Sequence, residues 1–234
     1  VRISAIIVAA GSGTRLGYKE PKAFVELGGR PLLYYSLRTV REIASVSEVI
    51  VTIPSGMESE ARDAVDHAGL RVPVKLTPGG AERQDSVRIA LSLASADSTL
   101  VLVHDAARPF AGATVFEACI EAAARSGGAI AAIPVPDTLK EVVETIITTT
   151  RPRDGLFAAQ TPQAFRRELL VAGHARGAAA ALPATDDAFL VEQTGNPVEI
   201  VAGSALNFKI TTPDDLRLAR ALIASDLLLA RQFD

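Results

Sequence analysis

The sequence predicts an α/β fold, a mostly parallel sheet with helices on both faces plus a projecting β-hairpin arm. Three observations carry this. Short β-branched runs alternate with Ala- and Leu-rich amphipathic stretches, the pattern of repeated βαβ units. Apolar residues make up 48% of the chain while aromatics are sparse and tryptophan is absent, so Ala, Val, Leu and Ile must fill the core, as in a sheet covered on both faces. One segment, Leu139 to Thr150, breaks the alternation with extreme β-propensity and no helix behind it.

Taken in order, strands are expected over Ile3 to Ala9, Val49 to Ile53, Val72 to Leu76, Leu100 to Val103, Ala129 to Pro134 and Val198 to Val201, the short β-branched or Ala-rich runs. Helices are expected over Leu32 to Arg41, Ser59 to Ala68, Ser86 to Ala94, Thr114 to Arg125, Arg166 to Arg176, Asp187 to Gln193 and Pro213 to Ala230. The last has a start signal, Thr212 as cap with Pro213 at the first position. Connections are short, and no internal repeat or low-complexity linker divides the 234 residues, so one domain over 1–234 is expected. Within it Leu139 to Thr150 reads as the hairpin arm, with pairs Val142-Val143 and Ile146-Ile147 and three consecutive threonines. An arm alone leaves open backbone edges, so a second copy of the chain is expected to cover it; the competing reading is an ordinary edge hairpin of the same domain.

A net charge of −3 argues against a broad nucleic-acid surface, which needs clustered Lys and Arg. A lone Cys119 in an Ala-rich stretch excludes an intramolecular disulfide and a cysteine-based zinc site, and reads as a plain buried thiol. No apolar run approaches the roughly 18 to 20 residues needed to cross a bilayer, and Val1-Arg2-Ile3-Ser4 leads straight into a strand. The expectation is a cytoplasmic protein without membrane or nucleic-acid partners.

The first strand runs into Ala9-Ala10-Gly11-Ser12-Gly13-Thr14-Arg15-Leu16-Gly17-Tyr18-Lys19-Glu20-Pro21-Lys22, a glycine-rich turn followed by spaced cations where open α/β sheets bind ligands. Glycines let backbone N–H groups approach phosphate oxygens, Arg15 offers a bidentate fork and Lys22 a compact charge. Leu16 stands where the dinucleotide fingerprint requires Gly or Ala, and the Gly-Lys pair of a nucleotide-triphosphatase loop occurs nowhere. After the fourth expected strand comes His104-Asp105-Ala106-Ala107-Arg108-Pro109, which adds a carboxylate suited to Mg²⁺ and a second anion-binding arginine if the two strands are neighbours. His104, with no second His at ligand spacing, reads as a structural hydrogen-bonding residue. Further on, Asn207-Phe208-Lys209-Ile210-Thr211 reads as a short strand whose lysine by itself is a solvated edge residue and becomes a phosphate-ligand candidate only in combination with the earlier motifs.

These motifs, with Gly79-Gly80-Ala81-Glu82-Arg83-Gln84-Asp85-Ser86-Val87, Asp137-Thr138-Leu139-Lys140, Gln160-Thr161-Pro162-Gln163-Ala164-Phe165 and Thr185-Asp186-Asp187-Ala188, closely resemble the 2-C-methyl-D-erythritol 4-phosphate cytidylyltransferases of the non-mevalonate isoprenoid pathway. The resemblance covers nearly the whole chain. It implies a single Rossmann-like nucleotidyltransferase domain that transfers CMP from CTP to methylerythritol phosphate, with Mg²⁺ and a homodimer made through an arm at about 137–153. It places CTP over Ala9, Ala10, Gly11, Gly13, Thr14, Gly80, Ser86, Asp105 and Ala106, with Arg15, Lys22 and Lys209 around the phosphates. Arg15, Lys22, Lys209 and Asp105 are the implied catalytic set, Asp105 the metal ligand. The acceptor would be held by Asp105, Arg108, Thr138, Arg153, Thr161 and Thr185, partly across the dimer. Three departures stand out: Pro152 before Arg153 in place of an acid, Ala81 in place of Asp, and Phe208 in place of a smaller aliphatic residue. No nucleophile elbow is present, in keeping with in-line phosphoryl chemistry run by electrostatics. The same motifs leave two other readings, a ribitol 5-phosphate cytidylyltransferase and a non-catalytic CTP-binding sensor.

Overall fold

Alternating side chains along the central strands set the layers of this computed structural model, which describes residues 2–18 and 20–225 and, at Arg15, the backbone alone. On the first strand, β1 (Ile3–Val8), Ile3, Ala5 and Ile7 point into one apolar cluster and Ile6 into another. Beyond β1 the chain makes two short 3-10 turns and a small hairpin, β2 (Glu26–Leu27) and β3 (Arg30–Pro31). It continues through α1 (Leu32–Glu42), β4 (Val46–Ile53), α2 (Glu58–Ala68), β5 (Val74–Pro78), α3 (Arg83–Leu93), β6 (Leu100–Asp105), α4 (Ala113–Ser126) and β7 (Gly128–Pro134). The arm, β8 (Leu139–Val143) and β9 (Ile146–Arg151), is followed by β10 (Phe157–Arg166), α5 (Arg167–Ala179), α6 (Asp187–Glu192), β11 (Glu199–Ala202) and α7 (Pro213–Ala224).

The main sheet runs β11-β7-β10-β6-β1-β4-β5. Its pairings are parallel except those of β10, which is antiparallel to both β6 and β7. The mostly parallel α/β fold with an arm is therefore as the sequence predicts. One face packs against α1, α2 and α4 through residues such as Leu33, Leu37, Ala61 and Phe116. The other packs against α3, α5 and α6 through Val87, Leu91, Leu170 and Val191. A third cluster, with Leu16, Leu27, Tyr35, Phe110, Ile210 and Leu216, seats α7 against the β2-β3 hairpin.

The strand of the main sheet that the sequence does not show is β10. Its sequence offers polar side chains and Pro162, and a proline argues against a central strand because it lacks the ladder N–H. Pro162 escapes the conflict because the β10-β7 register shifts between Ala159 and Gln163. The buried glutamines of β10 find partners in remote segments of the chain. Gln163 Oε1 accepts from the N–H groups of Asp187 and Ala188 at 3.1 and 3.2 Å. Gln160 accepts from Asn207 Nδ2 at 3.1 Å and donates to the Ser204 carbonyl at 2.9 Å.

Other differences are local. The segment around Lys209 is irregular backbone instead of a strand, tied down where Ile210 N–H donates to the Ala107 carbonyl at 2.9 Å. β6 runs through Asp105, so the carboxylate sits at the strand's last position. α3 starts earlier, at Arg83, because Glu82 and Asp85 form a reciprocal capping box. The end of the last expected helix, to Ala230, lies outside the described residues. The arm forms its own two-stranded sheet instead of an extra edge of the main one, with Val143 65% and Ile146 68% exposed. Among the described residues no helix is long and apolar enough to cross a membrane.

Candidate active site

Two strand ends make the site. β1 lies between β4 and β6, with Val8 opposite Asp105, so the glycine loop and the carboxylate loop leave the sheet side by side, joined by the Ala106 N–H donating to the Val8 carbonyl at 3.0 Å. Gly13 adopts φ +69°, and a Cβ there would stand 2.5 Å from Lys22 Cβ, so the loop closes directly over Lys22 only because position 13 has no side chain. Gly79 is pressed as tightly against Ala10, where an added Cβ would come within 2.2 Å of the alanine methyl. The second loop is then fixed by the Gly80 N–H donating to Ser86 Oγ at 3.1 Å.

Between these loops lies a cavity of about 420 Å³, lined among others by Ala9, Ala10, Gly11, Gly13, Thr14, Lys22, Gly80, Ser86, Asp105 and Lys209. Ten of the sequence-predicted nucleotide-site residues thus meet around one space. Ala106 is fully buried behind the wall and Ala107 lines it instead. Arg15 lies in the 3-10 turn Thr14–Leu16, which follows the cavity-lining glycine loop, and its side chain is outside what the structure describes.

Asp105 is 5% exposed and carries two cations: Arg83 Nε donates to Oδ1 at 2.9 Å and Lys209 Nζ to Oδ2 at 2.7 Å. Burial alone would raise its pKa, but the charges of Arg83 and Lys209 outweigh it and hold the carboxyl well below the usual range. Arg83 extends the network, donating through Nη1 to Asp187 Oδ2 at 2.8 Å. Burial would lower its pKa, yet the two carboxylates raise it. The sequence assigns no role to Arg83 or Asp187; the one signal for Arg83 is a cation that follows a glycine pair, and Asp187 carries none that sets it apart from other acids. Lys22 lies near Asp215, which accepts from the N–H groups of Thr211 and Thr212 at 2.8 and 2.7 Å and so caps α7 at the cavity rim.

Of the other predicted residues, Thr161 turns inward. Its hydroxyl accepts from the Asp105 N–H at 3.0 Å and pairs with His104 Nδ1 at 3.0 Å, holding the carboxylate turn to β10. Arg108 donates to the carbonyls of Asn207 at 2.7 Å and Ala159 at 3.4 Å, bracing the Lys209 segment, while its Nε is buried without a partner. Thr138, Arg153 and Thr185 are exposed and outside the cavity. Arg153 follows Pro152 and donates to the Pro136 carbonyl, which ties the two feet of the arm together. Phe208, the bulky departure, packs its ring 5.7 Å from Phe110 and fills the third cluster. Cys119 is buried and pushed up to about 12 by burial, a plain core thiol as its sequence context implies.

Comparison with known proteins matches this architecture. The family model described as "IspD: 2-C-methyl-D-erythritol 4-phosphate cytidylyltransferase" matches residues 3–225. The chain belongs to this family. It is similar to the 2-C-methyl-D-erythritol 4-phosphate cytidylyltransferase of Deinococcus radiodurans, 47% identical over 94% of this chain and 89% of that protein. A Pelotomaculum thermopropionicum relative of the same name is 40% identical over 95% of this chain and 94% of its own. The crystal structure of the Thermus thermophilus enzyme aligns with a TM-score of 0.80 at 40% identity, covering 96% of this chain and 100% of that one. The motif resemblance thus extends to fold and to nearly the whole length of the cytidylyltransferases.

His104 offers a test of the site's electrostatics. It is fully buried, its Nε2 meets the Arg108 carbonyl at 3.2 Å, and burial pushes its pKa down to about 4, with Asp105 opposing and Arg108 assisting. Because the unfolded chain takes up a proton near pH 6.5 and the folded chain only near 4, the unfolded state binds more protons between them. Stability from this group is therefore full above pH 6.5 and is lost as pH falls toward 4. Urea denaturation at pH 7 and pH 5 should show wild type losing roughly 2 kcal/mol more than His104→Gln over that interval; equal losses would show that His104 is not held neutral.

Proposed function

We propose that this cytidylyltransferase transfers CMP from CTP to 2-C-methyl-D-erythritol 4-phosphate, forming 4-diphosphocytidyl-2-C-methyl-D-erythritol and pyrophosphate. The observation that carries the reading is Asp105 held between Arg83 and Lys209 on the wall of a glycine-lined cavity. An oxygen of the acceptor phosphate attacks the α-phosphorus of CTP, the bond from that phosphorus to the bridging oxygen breaks, and pyrophosphate leaves opposite the attack. Nothing covalent is asked of the protein, so catalysis is positioning and charge stabilisation.

In this reading the chain works as one nucleotidyltransferase domain. Ala9, Ala10, Gly80 and Ser86 surround the cytosine with Ala106 backing the wall behind them, while Gly11, Gly13 and Thr14 offer backbone N–H groups to the phosphates. Arg15, Lys22 and Lys209 take up the charge that grows on the α-phosphoryl and leaving oxygens. At an effective dielectric near 20 a cation about 4 Å from a phosphate oxygen contributes about 4 kcal/mol before desolvation. Asp105 and Arg108 face the acceptor side, Thr161 sets the Asp105 turn, Thr185 adds to the acceptor contacts, and Thr138 and Arg153 reach an acceptor across the dimer.

The donor set suits Mg²⁺ carried by the nucleotide. Asp105 is a buried carboxylate on the cavity wall, and among the described residues no three His, Cys, Asp or Glu could hold an ion by themselves. That matches an ion bound through one or two carboxylates plus substrate phosphates. Bound there, Mg²⁺ would neutralise phosphate charge and orient the triphosphate. A lone buried thiol accords with the cytoplasm as the working compartment.

Pyrophosphate release from purified protein with CTP, Mg²⁺ and methylerythritol phosphate tests the reaction, with ribitol 5-phosphate as competing acceptor. Lys209→Ala should lower kcat by roughly 10² to 10³, the loss typical of one preorganised donor. A variant within twofold of wild type would remove Lys209 from the chemistry.

The arm supports a homodimer. Val142, Val143, Ile146 and Ile147 are each at least half exposed on a two-stranded sheet outside the main one, an apolar surface that a second copy would bury. Thr138 and Arg153 at its feet would then meet the partner's acceptor site. The double substitution Val143→Asp with Ile146→Asp should convert a dimer to a monomer in light scattering at micromolar concentration and raise KM for the acceptor. An unchanged dimer would place the interface elsewhere.

A further inference from the structure

The cation on Asp105 is itself anchored from behind. Four bonds form an unbroken line from the sheet's far helix to the cavity: His174 Nε2 donates to Asp187 Oδ1 at 3.0 Å, Arg83 Nη1 to Asp187 Oδ2 at 2.8 Å, Arg83 Nε to Asp105 Oδ1 at 2.9 Å, and Lys209 Nζ to Asp105 Oδ2 at 2.7 Å. The rear pair is the most enclosed part of it, and the side chain of Asp105 between the two cations is 7% exposed. The side chain of Asp187 is 1% exposed and that of His174 4%, against 20% for Arg83 and 36% for Lys209. Three elements supply the rear half: His174 stands on α5, Asp187 on α6 and Arg83 at the first position of α3. Asp187 is held further by its own N–H donating to Gln163 Oε1 on β10 at 3.1 Å.

The two cations on Asp105 are therefore not equivalent. Lys209 sits on irregular backbone at the open side and reaches Asp105 through a flexible stem and a single Nζ contact. Arg83 is a planar fork fixed at two corners by two carboxylates, and swinging it out would strip a buried Asp187 of its charge partner. Burial would raise the Asp187 carboxyl, but Arg83 and its bond from His174 hold it ionised. When a triphosphate arrives, Lys209 can exchange Asp105 for a phosphate oxygen, whereas Arg83 stays.

The geometry points to Asp187 and His174 as positioning residues for nucleotidyl transfer, a clamp on Arg83 that keeps Asp105 oriented while Lys209 turns to the nucleotide. The inference deepens the function proposed above and rests on it. A buried ion pair of this kind could also serve only to tie α3, α5 and α6 together, so the test must separate orientation of Asp105 from stability.

A double-mutant cycle does so. Asp187→Asn, Asp105→Asn and the double variant are assayed for pyrophosphate release at saturating CTP and methylerythritol phosphate, under single-turnover conditions for the slow variants, with folding checked by circular dichroism. The clamp predicts that Asp187→Asn lowers kcat at least tenfold in wild type but less than threefold when Asp105 is already Asn, because Asp187 acts through that carboxylate. It also predicts that His174→Gln, which keeps an N–H donor, retains more activity than His174→Ala. Equal fold losses in both backgrounds, with folding intact, would overturn the clamp and leave a structural tie. If Asp187→Asn does not fold, the same cycle with His174→Ala in its place decides, with the same coupled or additive outcomes. Wild type measured alongside separates the two levels: an active wild type with additive losses overturns the clamp alone, and an inactive wild type overturns the proposed reaction and the clamp with it.

Discussion

A buried carboxylate between two cations is the constraint on which the rest of this structure depends. Asp105, 5% exposed at the last position of β6, would be costly to ionise by itself, and its pairing with Arg83 and Lys209 makes ionisation favourable. That requirement draws three remote parts of the chain together. Arg83 must come from the head of α3, which places the Gly79-Gly80 loop beside the first loop. Lys209 must come from the irregular segment before α7, which the Ile210 N–H and Asn207 secure to the carboxylate loop and to β10. The cavity is the space these three arrivals leave.

β10 is the element that makes the arrangement rigid. As an antiparallel strand between β6 and β7 it brings Thr161 under the Asp105 N–H, Gln163 under the start of α6 and Gln160 against Asn207. The Thr161, Gln163 and Gln160 side chains are buried and paired, and leaving one unpaired would cost about 1 to 3 kcal/mol. A strand made of such side chains carries little hydrophobic driving force of its own. It serves instead as a scaffold of hydrogen bonds linking the carboxylate loop to the helices behind it.

The sequence made the sheet legible where strands were apolar. β1, β4, β6 and β7 read directly from runs such as Ile6-Ile7-Val8 and Val101-Leu102-Val103, because burial on both faces demands them. β10 was opaque because its Gln, Thr and Pro residues satisfy one another only after folding, and the Lys209 segment looked like a strand because side-chain type alone could not show its tether. The first glycine loop was legible because its glycines mark a close backbone approach at a strand end, the Gly79-Gly80 loop only through the family resemblance, and Asp105 because it follows an apolar strand. Arg83 and Asp187 were not, since the meaning of a charged residue at a helix start lies in remote partners, such as Asp105 and Asp187 for Arg83, and neither was His174, an imidazole inside a helix whose partner lies on the next one. For Thr161 the sequence could not show that its hydroxyl holds the Asp105 N–H and the His104 imidazole.

The most direct measurement is a crystal structure of the protein with CTP and Mg²⁺. The account predicts the nucleotide in the cavity between the two glycine loops, Lys209 Nζ moved from Asp105 to a phosphate oxygen, and Arg83 still bridging Asp105 and Asp187. A nucleotide bound elsewhere, or Arg83 withdrawn from Asp105 while Lys209 remains on it, would contradict it.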